Sequence, residues 1–204
     1  MKNLAFIGAG GHSDAVLAYI NPKEYNFIGY FDDKDIFEYN NYPIIDKIKN
    51  IPNYLNDIDA LFITIGDNQK RKEIFDKFNK FSLFINIISP SSVILKTVKI
   101  IGVNNFISTN TFIGANVKID NNCIINSNAT IEHHCHIGSH CNISPSATLN
   151  GHVMLSEMVY VGSSATIIQV KEISKNIIIG AGAVVVKDLE VEGTYIGIPA
   201  RKLK

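Results

Sequence analysis

Three absences in the sequence exclude whole classes of function. Its 19 basic and 19 acidic residues cancel, which argues against a protein whose main task is to bind nucleic acid or an anionic membrane surface. No apolar run approaches the roughly 18 residues of a spanning helix, and the N-terminal apolar stretch is too short for a signal peptide. Three cysteines leave one unpaired in any disulfide scheme, which fits a reducing compartment. We therefore expect a cytoplasmic, globular protein without nucleic-acid or membrane partners.

The first part of the chain, residues 1–88, has the pattern of an α/β domain. A short apolar strand ends in a glycine turn and leads into a helix that Ser13 is placed to cap. Further strands are predicted over 27–31 and 60–65, and a polar helix over 69–79. Alternating strands and helices imply a Rossmann-like parallel sheet, whose ligands lie at the carboxyl ends of its strands. Those ends are Gly8, Asp32 and Gly66.

The second part, residues 89–204, follows a period of six residues. From Leu95 to Val185 every sixth residue is a branched aliphatic one, with no apparent insertion. The residue two positions earlier is often small, and all three cysteines occupy that position: Cys123, Cys135 and Cys141. This period is typical of a parallel β-helix with three hexapeptides per coil, in which residues one coil apart stack at about 4.8 Å. We predict that both positions face inward and that the cysteines are inert core packing.

Most of the histidines lie close together in the repeat. They are His133, His134, His136, His140 and His152. The spacing of His136 and His140, with Cys135 beside them, is that of some metal sites, but the repeat turns the cysteine inward and separates the two histidines by a corner. We therefore expect no metal. His140 and His152 are expected at solvated positions, with His134 stacked on His152.

Taken together, these features resemble the left-handed β-helix acyltransferases, and more narrowly the sugar acetyltransferases that acetylate nucleotide-linked amino sugars or sialic acid. The resemblance covers nearly the whole chain. Beside the repeat it rests on Gly8-Ala9-Gly10-Gly11-His12, Asp32-Asp33, Ile65-Gly66-Asp67-Asn68, Ile131-Glu132-His133 and Gly197-Ile198-Pro199-Ala200-Arg201. It implies a nucleotide-binding domain followed by a left-handed β-helix, acetyl-CoA as co-substrate, no metal, and a homotrimer with active sites between protomers.

For the chemistry, the resemblance implies that His133 is the general base, which removes a proton from the sugar amine as it attacks the thioester. His133 follows the inward Ile131 by two residues and so can point outward, and Gly151, one coil later, would leave open space beside it. Two candidate catalytic positions depart from the family. His134 stands where an acidic residue is usual, and Asn142 stands where a second histidine donates to the acetyl carbonyl, which an amide NH₂ can also do.

The resemblance also implies the binding residues. The acceptor sugar nucleotide would straddle the two domains and contact Gly10, Gly11, His12, Asp32, Asp33, Gly66 and Asn126. Acetyl-CoA would contact Asn142, Gly151, Ser163, Ala181 and Arg201, with Lys202 beside the last. Two simpler readings stay open: the paired aspartates as a plain turn, and the basic tail as a solvated segment.

The expected function is therefore acetyl-CoA-dependent N-acetylation of a nucleotide-activated deoxy sugar, with a UDP-linked 4-amino sugar as the expected acceptor. The acetyl group would pass directly to the amine, without an acyl-enzyme, in the biosynthesis of bacterial surface glycans or glycoprotein glycans. Two alternatives remain: O-acetylation of sialic acid, and a non-catalytic sugar-nucleotide-binding scaffold.

Overall fold

The computed structural model describes residues 1–203 as two compact units, the first spanning Met1–Ile87 and the second beginning at Ile88. The first unit is built on a sheet of five strands: Lys2–Ile7 (β1), Tyr25–Phe31 (β2), Glu38–Tyr39 (β3), Tyr42–Asp46 (β4) and Ala60–Ile63 (β5). Their order across the sheet is β3-β4-β2-β1-β5, and all neighbours are parallel except β3 and β4. The carboxyl ends of β1, β2 and β5 therefore lie at one edge.

Helices follow two of these strands. They are the α-helices Gly11–Leu17 (α1) and Asn68–Phe78 (α2), with 3₁₀ helices at Ile48–Tyr54 and Asn79–Phe81. Helix α2 is capped by Asp67, whose carboxylate accepts a hydrogen bond of 2.8 Å from the backbone N–H of Lys70. Within residues 1–203 no helix is both long and apolar enough to cross a membrane.

The prediction that Ser13 caps the first helix is wrong. The chain is still extended at Gly10, which is the N-cap residue, so Ser13 lies in the first turn. There its hydroxyl accepts from the Gly10 N–H at 3.1 Å and donates to the Gly10 carbonyl at 2.6 Å. These two hydrogen bonds hold the glycine turn against the first turn of the helix.

The second unit is a triangular prism with three sheets as its faces. The first face contains Ile87–Ile88, Phe106–Ile107, Ile124–Ile125, Asn142–Ile143, Tyr160–Val161, Ile177–Ile179, Gly193–Ile196 and Arg201–Lys202. The second face contains Val93–Ile94, Phe112–Ile113, Thr130–Ile131, Thr148–Leu149, Thr166–Ile167 and Val184–Val185. The third face contains Lys99–Ile100, Lys118–Ile119, His136–Ile137, Met154–Leu155 and Glu172–Ile173. The chain visits the faces in turn, with parallel pairing throughout, until Arg201–Lys202 pairs antiparallel with its neighbour.

The prism is filled by the repeat. Every sixth residue from Ile107 to Val185 is no more than 3% exposed, and the cysteines are equally buried. Burial of one such aliphatic side chain contributes about 1.5–3 kcal/mol, so the column supplies most of the unit's cohesion. The prediction of inward aliphatic and small positions is confirmed from Ile107 onward.

The first coil departs from that prediction. Ile119 pairs with Ile100, which lies 19 residues earlier in the chain instead of 18. Ile94 and Ile100 consequently pack against the core, whereas Leu95 and Ile101 are 39% and 64% exposed. The expectation of a repeat without insertion is wrong here, because the loop after the first coil holds one extra residue.

The corners of the prism have left-handed backbone. A non-glycine residue with φ between 54° and 67° recurs every six positions from Asn104 to Asn176, a conformation that asparagine tolerates better than most residues. At one corner the Asn104 amide donates to Asn122, whose own amide lies 2.7 Å from Nδ1 of His140. His140 is buried in this column, so the expectation of a solvated His140 is wrong.

Candidate active site

The candidate nucleotide-binding residues of the first unit line one cavity. It has a volume of about 480 Å³ at the carboxyl ends of β1, β2 and β5. Its lining includes Gly10, Gly11, His12, Asp32, Asp33 and Gly66. These residues therefore lie together at the ends of the parallel strands, as the sequence pattern predicted.

Asp32 organises the glycine turn. One carboxylate oxygen accepts a buried hydrogen bond of 2.6 Å from the Ala9 N–H, and the other accepts from the Lys34 N–H at 2.7 Å. The neighbouring Asp33 accepts from the Ile48 N–H at 3.0 Å, at the start of a 3₁₀ helix. Both aspartates therefore have a structural role at this edge, and they also face the cavity.

Two cations of the cavity were missed from the sequence. Lys34 and Lys70 both line it, and the ammonium group of Lys34 also donates to the Ala9 carbonyl. Both could have been predicted from the sequence. Lys34 directly follows the paired aspartates, and Lys70 lies in the first turn of the helix that follows β5. Their ammonium groups offset the charges of Asp32 and Asp33 and are the cationic groups of this lining that a phosphate could pair with.

His12 is held as a neutral imidazole. Burial, with the charge of Arg71 as a second and smaller cause, lowers the pKa of His12 to about 4. Arg71 is itself fully buried and donates to the carbonyls of Ile65 and Gly66, at 3.2 and 2.9 Å, and to Asn68 at 2.9 Å. The guanidinium thus fixes the loop after β5 and keeps His12 uncharged.

In the second unit, His133 lies at the corner between the second and third faces and is exposed, so its predicted outward direction is confirmed. Its ring lies against Gly151 of the next coil, where a Cβ would come within 2.6 Å of Cε1 and 2.8 Å of Nε2. The expectation of open space beside Gly151 is wrong, because the His133 imidazole fills it. The His133 ring can lie here only because residue 151 has no side chain.

A chain of polar contacts leads away from His133. Its Nδ1 lies 3.1 Å from Nδ1 of His134, and Nε2 of His134 lies 3.0 Å from the Asn116 amide of the preceding coil. His134 also stacks on exposed His152, with ring centroids 4.7 Å apart and planes within 4°. The predicted stacking of these two histidines is confirmed.

The other predicted residues lie elsewhere on the prism. Asn142 belongs to the first face and Asn126 directly follows a strand of that face; the Asn126 amide donates to the Asn142 carbonyl oxygen at 3.4 Å. Asn142 is only 7% exposed. Ser163 and Ala181 occupy the corner between the first and second faces on successive coils. A corner between two faces of a triangular prism lies opposite the third, so one chain does not bring His133 and Asn142 together.

The remaining residues predicted from the sequence are Arg201 in the C-terminal tail and the three cysteines. Arg201 is exposed and donates to the Ala200 carbonyl at 3.0 Å. Burial raises the pKa of the Cys135 thiol to about 11, so at neutral pH it is no thiolate nucleophile. The residues with metal-like spacing are separated as predicted: Cys135 faces inward, while the His136 ring lies 3.0 Å from Asp120.

Comparison with known proteins assigns both units. Residues 3–78 match the PglD N-terminal domain, and residues 116–151 match the bacterial transferase hexapeptide family (six repeats). A comparison with curated proteins finds no match. The fold and these matches define the chain as a hexapeptide-repeat acetyltransferase, with an N-terminal α/β domain followed by a left-handed β-helix.

Solved structures resemble the chain over its whole length, and one of them holds CoA and a sugar nucleotide. PerB from Caulobacter crescentus, determined with CoA and GDP-perosamine, is 28% identical with a TM-score of 0.93, over 100% of this chain and 98% of that one. The acetyltransferase domain of PglB from Neisseria gonorrhoeae FA1090 is 27% identical with a TM-score of 0.91, over 100% of both chains. WeeI from Acinetobacter baumannii AYE is 25% identical with a TM-score of 0.86, also over 100% of both.

Proposed function

We propose that the protein transfers the acetyl group of acetyl-CoA to the amine of a nucleotide-linked amino sugar, with His133 as the general base. The observation that carries this proposal is the exposed imidazole of His133 on a prism corner, against Gly151, in a fold shared with PerB. Similarity to an N-acetyltransferase and the absence of an available thiolate favour direct transfer to an amine.

The atoms balance in a single displacement. The amine nitrogen attacks the thioester carbonyl and forms the C–N bond while Nε2 of His133 takes its proton. The tetrahedral oxyanion collapses, the C–S bond breaks, and the CoA thiolate recovers the proton from the imidazolium. The Gly151 N–H has no acceptor within residues 1–203, so it is available to donate to the oxyanion.

His134 and Asn116 set the tautomer of the base. For Nε2 of His133 to accept a proton, its Nδ1–H must donate to Nδ1 of His134. His134 then carries its own proton on Nε2, which needs an acceptor. The carbonyl oxygen of Asn116 supplies that acceptor when the amide turns by a half rotation. An imidazole, supported by an amide, thus stands where an acidic residue is usual in the family.

The first unit would hold the nucleotide. Backbone N–H groups of the turn at Gly10 and Gly11, with Lys34 and Lys70, offer donors and positive charge to a diphosphate. His12, kept neutral by burial, can donate or accept a hydrogen bond without adding charge. Asp32 and Asp33 face the same cavity and would contact the nucleoside.

We further propose a homotrimer in which one protomer supplies His133 and its neighbour supplies Asn142 and the wall of the CoA site. What supports this is the position of Asn142 on the face opposite the His133 corner, because an oxyanion donor must reach the same acetyl group as the base. Ser163, Ala181 and Arg201 would line the CoA groove.

The test is a thiol-release assay with acetyl-CoA and a panel of acceptors: UDP- and GDP-linked 4-amino sugars and sialic acid. We expect CoA release with a nucleotide-linked amino sugar and a loss of at least 100-fold in His133→Ala. Binding of these acceptors without any release would contradict the proposed function in favour of a scaffold. Release only with sialic acid would contradict N-acetylation.

The shared site is tested by complementation. Inactive His133→Ala and Asn142→Ala chains are unfolded together and refolded as a mixture. If a site takes one residue from each of two protomers, random assembly restores roughly a quarter of the sites. No recovery, with both variants folded and mixed, would contradict a site between protomers.

A further inference from the structure

The corner that carries His133 holds a cluster of three imidazoles. His133, His134 and His152 are all exposed, and one ring nitrogen from each lies within 4.8 Å of the others. Two of the rings come from adjacent residues and the third from the next coil. They differ from Cys135, His136 and His140, whose spacing in the sequence resembles a metal site. Stacking of the coils brings His152 next to His133 and His134, although it lies one coil later in the chain.

We propose that these three histidines form a site for a late first-row divalent cation, with Zn²⁺ as the ion tested. Imidazole nitrogen is a preferred ligand of Zn²⁺, at about 2.0–2.1 Å. Three such ligands leave the fourth tetrahedral position open to water.

The distances in the cluster are close to those required. Two nitrogens bound tetrahedrally to one Zn²⁺ lie about 3.4 Å apart, from the Zn–N length above. The Nδ1 atoms of His133 and His134 are already 3.1 Å apart. The remaining pairs, within 4.8 Å, need a movement of about 1.4 Å or less.

One ring must turn to complete the site. The rings of His134 and His152 are parallel, within 4°, whereas a shared ion lies in the plane of each imidazole. His152 is the ring that can move, because its side chain is exposed and within residues 1–203 makes only ring contacts with His133 and His134. Its rotation therefore breaks no hydrogen bond.

Occupancy of this site withdraws His133 from proton transfer. When Nδ1 of His133 binds the ion, the ring proton stays on Nε2, which then cannot accept the proton of the amine. Zn²⁺ is thus an inhibitor and not a cofactor of the enzyme. This consequence rests on the role proposed for His133, whereas binding of the ion does not.

The experiment measures Zn²⁺ binding by isothermal titration calorimetry on the full chain, without substrates. We expect one ion per chain, and at least tenfold weaker binding in His152→Ala. His136→Ala is the matched control, because it removes a histidine outside the cluster, and it should bind as the unaltered chain does. Equal binding by His152→Ala and the unaltered chain, or no binding below about 100 μM, would overturn the site.

Activity gives the second readout. In the thiol-release assay, Zn²⁺ should inhibit the unaltered chain at a concentration at least tenfold lower than it inhibits His152→Ala, and EDTA should reverse the inhibition. Without Zn²⁺ the two chains should be equally active. Binding lost in His152→Ala with identical Zn²⁺ inhibition of both chains would overturn the inhibitory role while leaving the site. A chain that binds Zn²⁺ but has no activity would contradict the proposed function and not the site.

Discussion

The imidazole of His133 lies against the backbone of Gly151, so closely that any side chain at residue 151 would displace it. A methyl group there would come within 2.6 Å of the ring. Because a shift of about 1 Å in a catalytic group can cost 100-fold in rate, Gly151→Ala should lower kcat about 100-fold. Gln169→Ala, at the same corner one coil later, is the control and should retain full activity. A fully active Gly151→Ala enzyme would show that the observed ring position is not the catalytic one.

Asn116 is expected to act on the reaction through His134, as a positioning residue. Loss of its amide in Asn116→Ala removes the acceptor that fixes the His134 tautomer, so kcat should fall about tenfold with KM unchanged. Asn116→Asp restores an acceptor and should recover the rate. Steady-state kinetics separate the two parameters, and an equal loss in both variants would indicate a merely structural role.

His12 should make stability depend on pH. The unfolded chain protonates this imidazole below about pH 6.5, whereas the folded chain does so only near pH 4. The folded state therefore loses stability as pH falls from 6.5 to 4, by roughly 2–3 kcal/mol at pH 4.5. His12→Gln should show a correspondingly smaller drop between pH 7 and 4.5 in urea unfolding. The same drop in both chains would contradict the burial of a neutral His12.

The cysteines should be unreactive and dispensable for transfer. All three are at most 1% exposed, and burial raises the pKa of Cys135 to about 11. A chromogenic disulfide reagent at pH 8 should label none of them in the folded protein and all three in denaturant. A single Cys135→Ala change should leave kcat within about twofold, because no acyl-enzyme forms. A labelled, inactivated native enzyme would contradict direct transfer.

The backbone of Val170 is strained, and a substitution there should stabilise the protein. It is 62% exposed and has a φ of 58°, which a β-branched side chain strongly disfavours. Val170→Asn should raise the free energy of unfolding by about 1 kcal/mol, since asparagine tolerates this conformation. The reverse change at an equivalent corner, Asn128→Val, should lower it by a similar amount. Urea unfolding of both variants provides the measurement.

The prism could be read from the sequence because each coil packs on the next through one position of the repeat. The one-residue shift of the first coil could not be predicted in this way. Two aliphatic residues stand side by side at residues 94 and 95 and again at 100 and 101, so the pattern fits either frame. The strand pairings decide between them: Ile94 pairs with Ile113, and Ile100 pairs with Ile119.

For the site, the strand ends predicted the position of the cavity in the first unit, since parallel strands gather their carboxyl ends at one edge. The burial of His140 and the position of the His133 ring were not predictable. Both depend on contacts across the columns of neighbouring corners, with Asn122 in one case and Gly151 in the other. The hexapeptide pattern in the sequence predicts which side chains face inward, but it does not predict the contacts between side chains stacked at the corners.

The reversal of the strand Arg201–Lys202 has a consequence for association. A stack of parallel coils ends in a row of unpaired backbone groups, onto which another chain can add a strand. Here the eight-stranded face finishes on a short antiparallel strand with two cationic side chains. Such a charged, antiparallel edge disfavours the addition of a further parallel strand to this face.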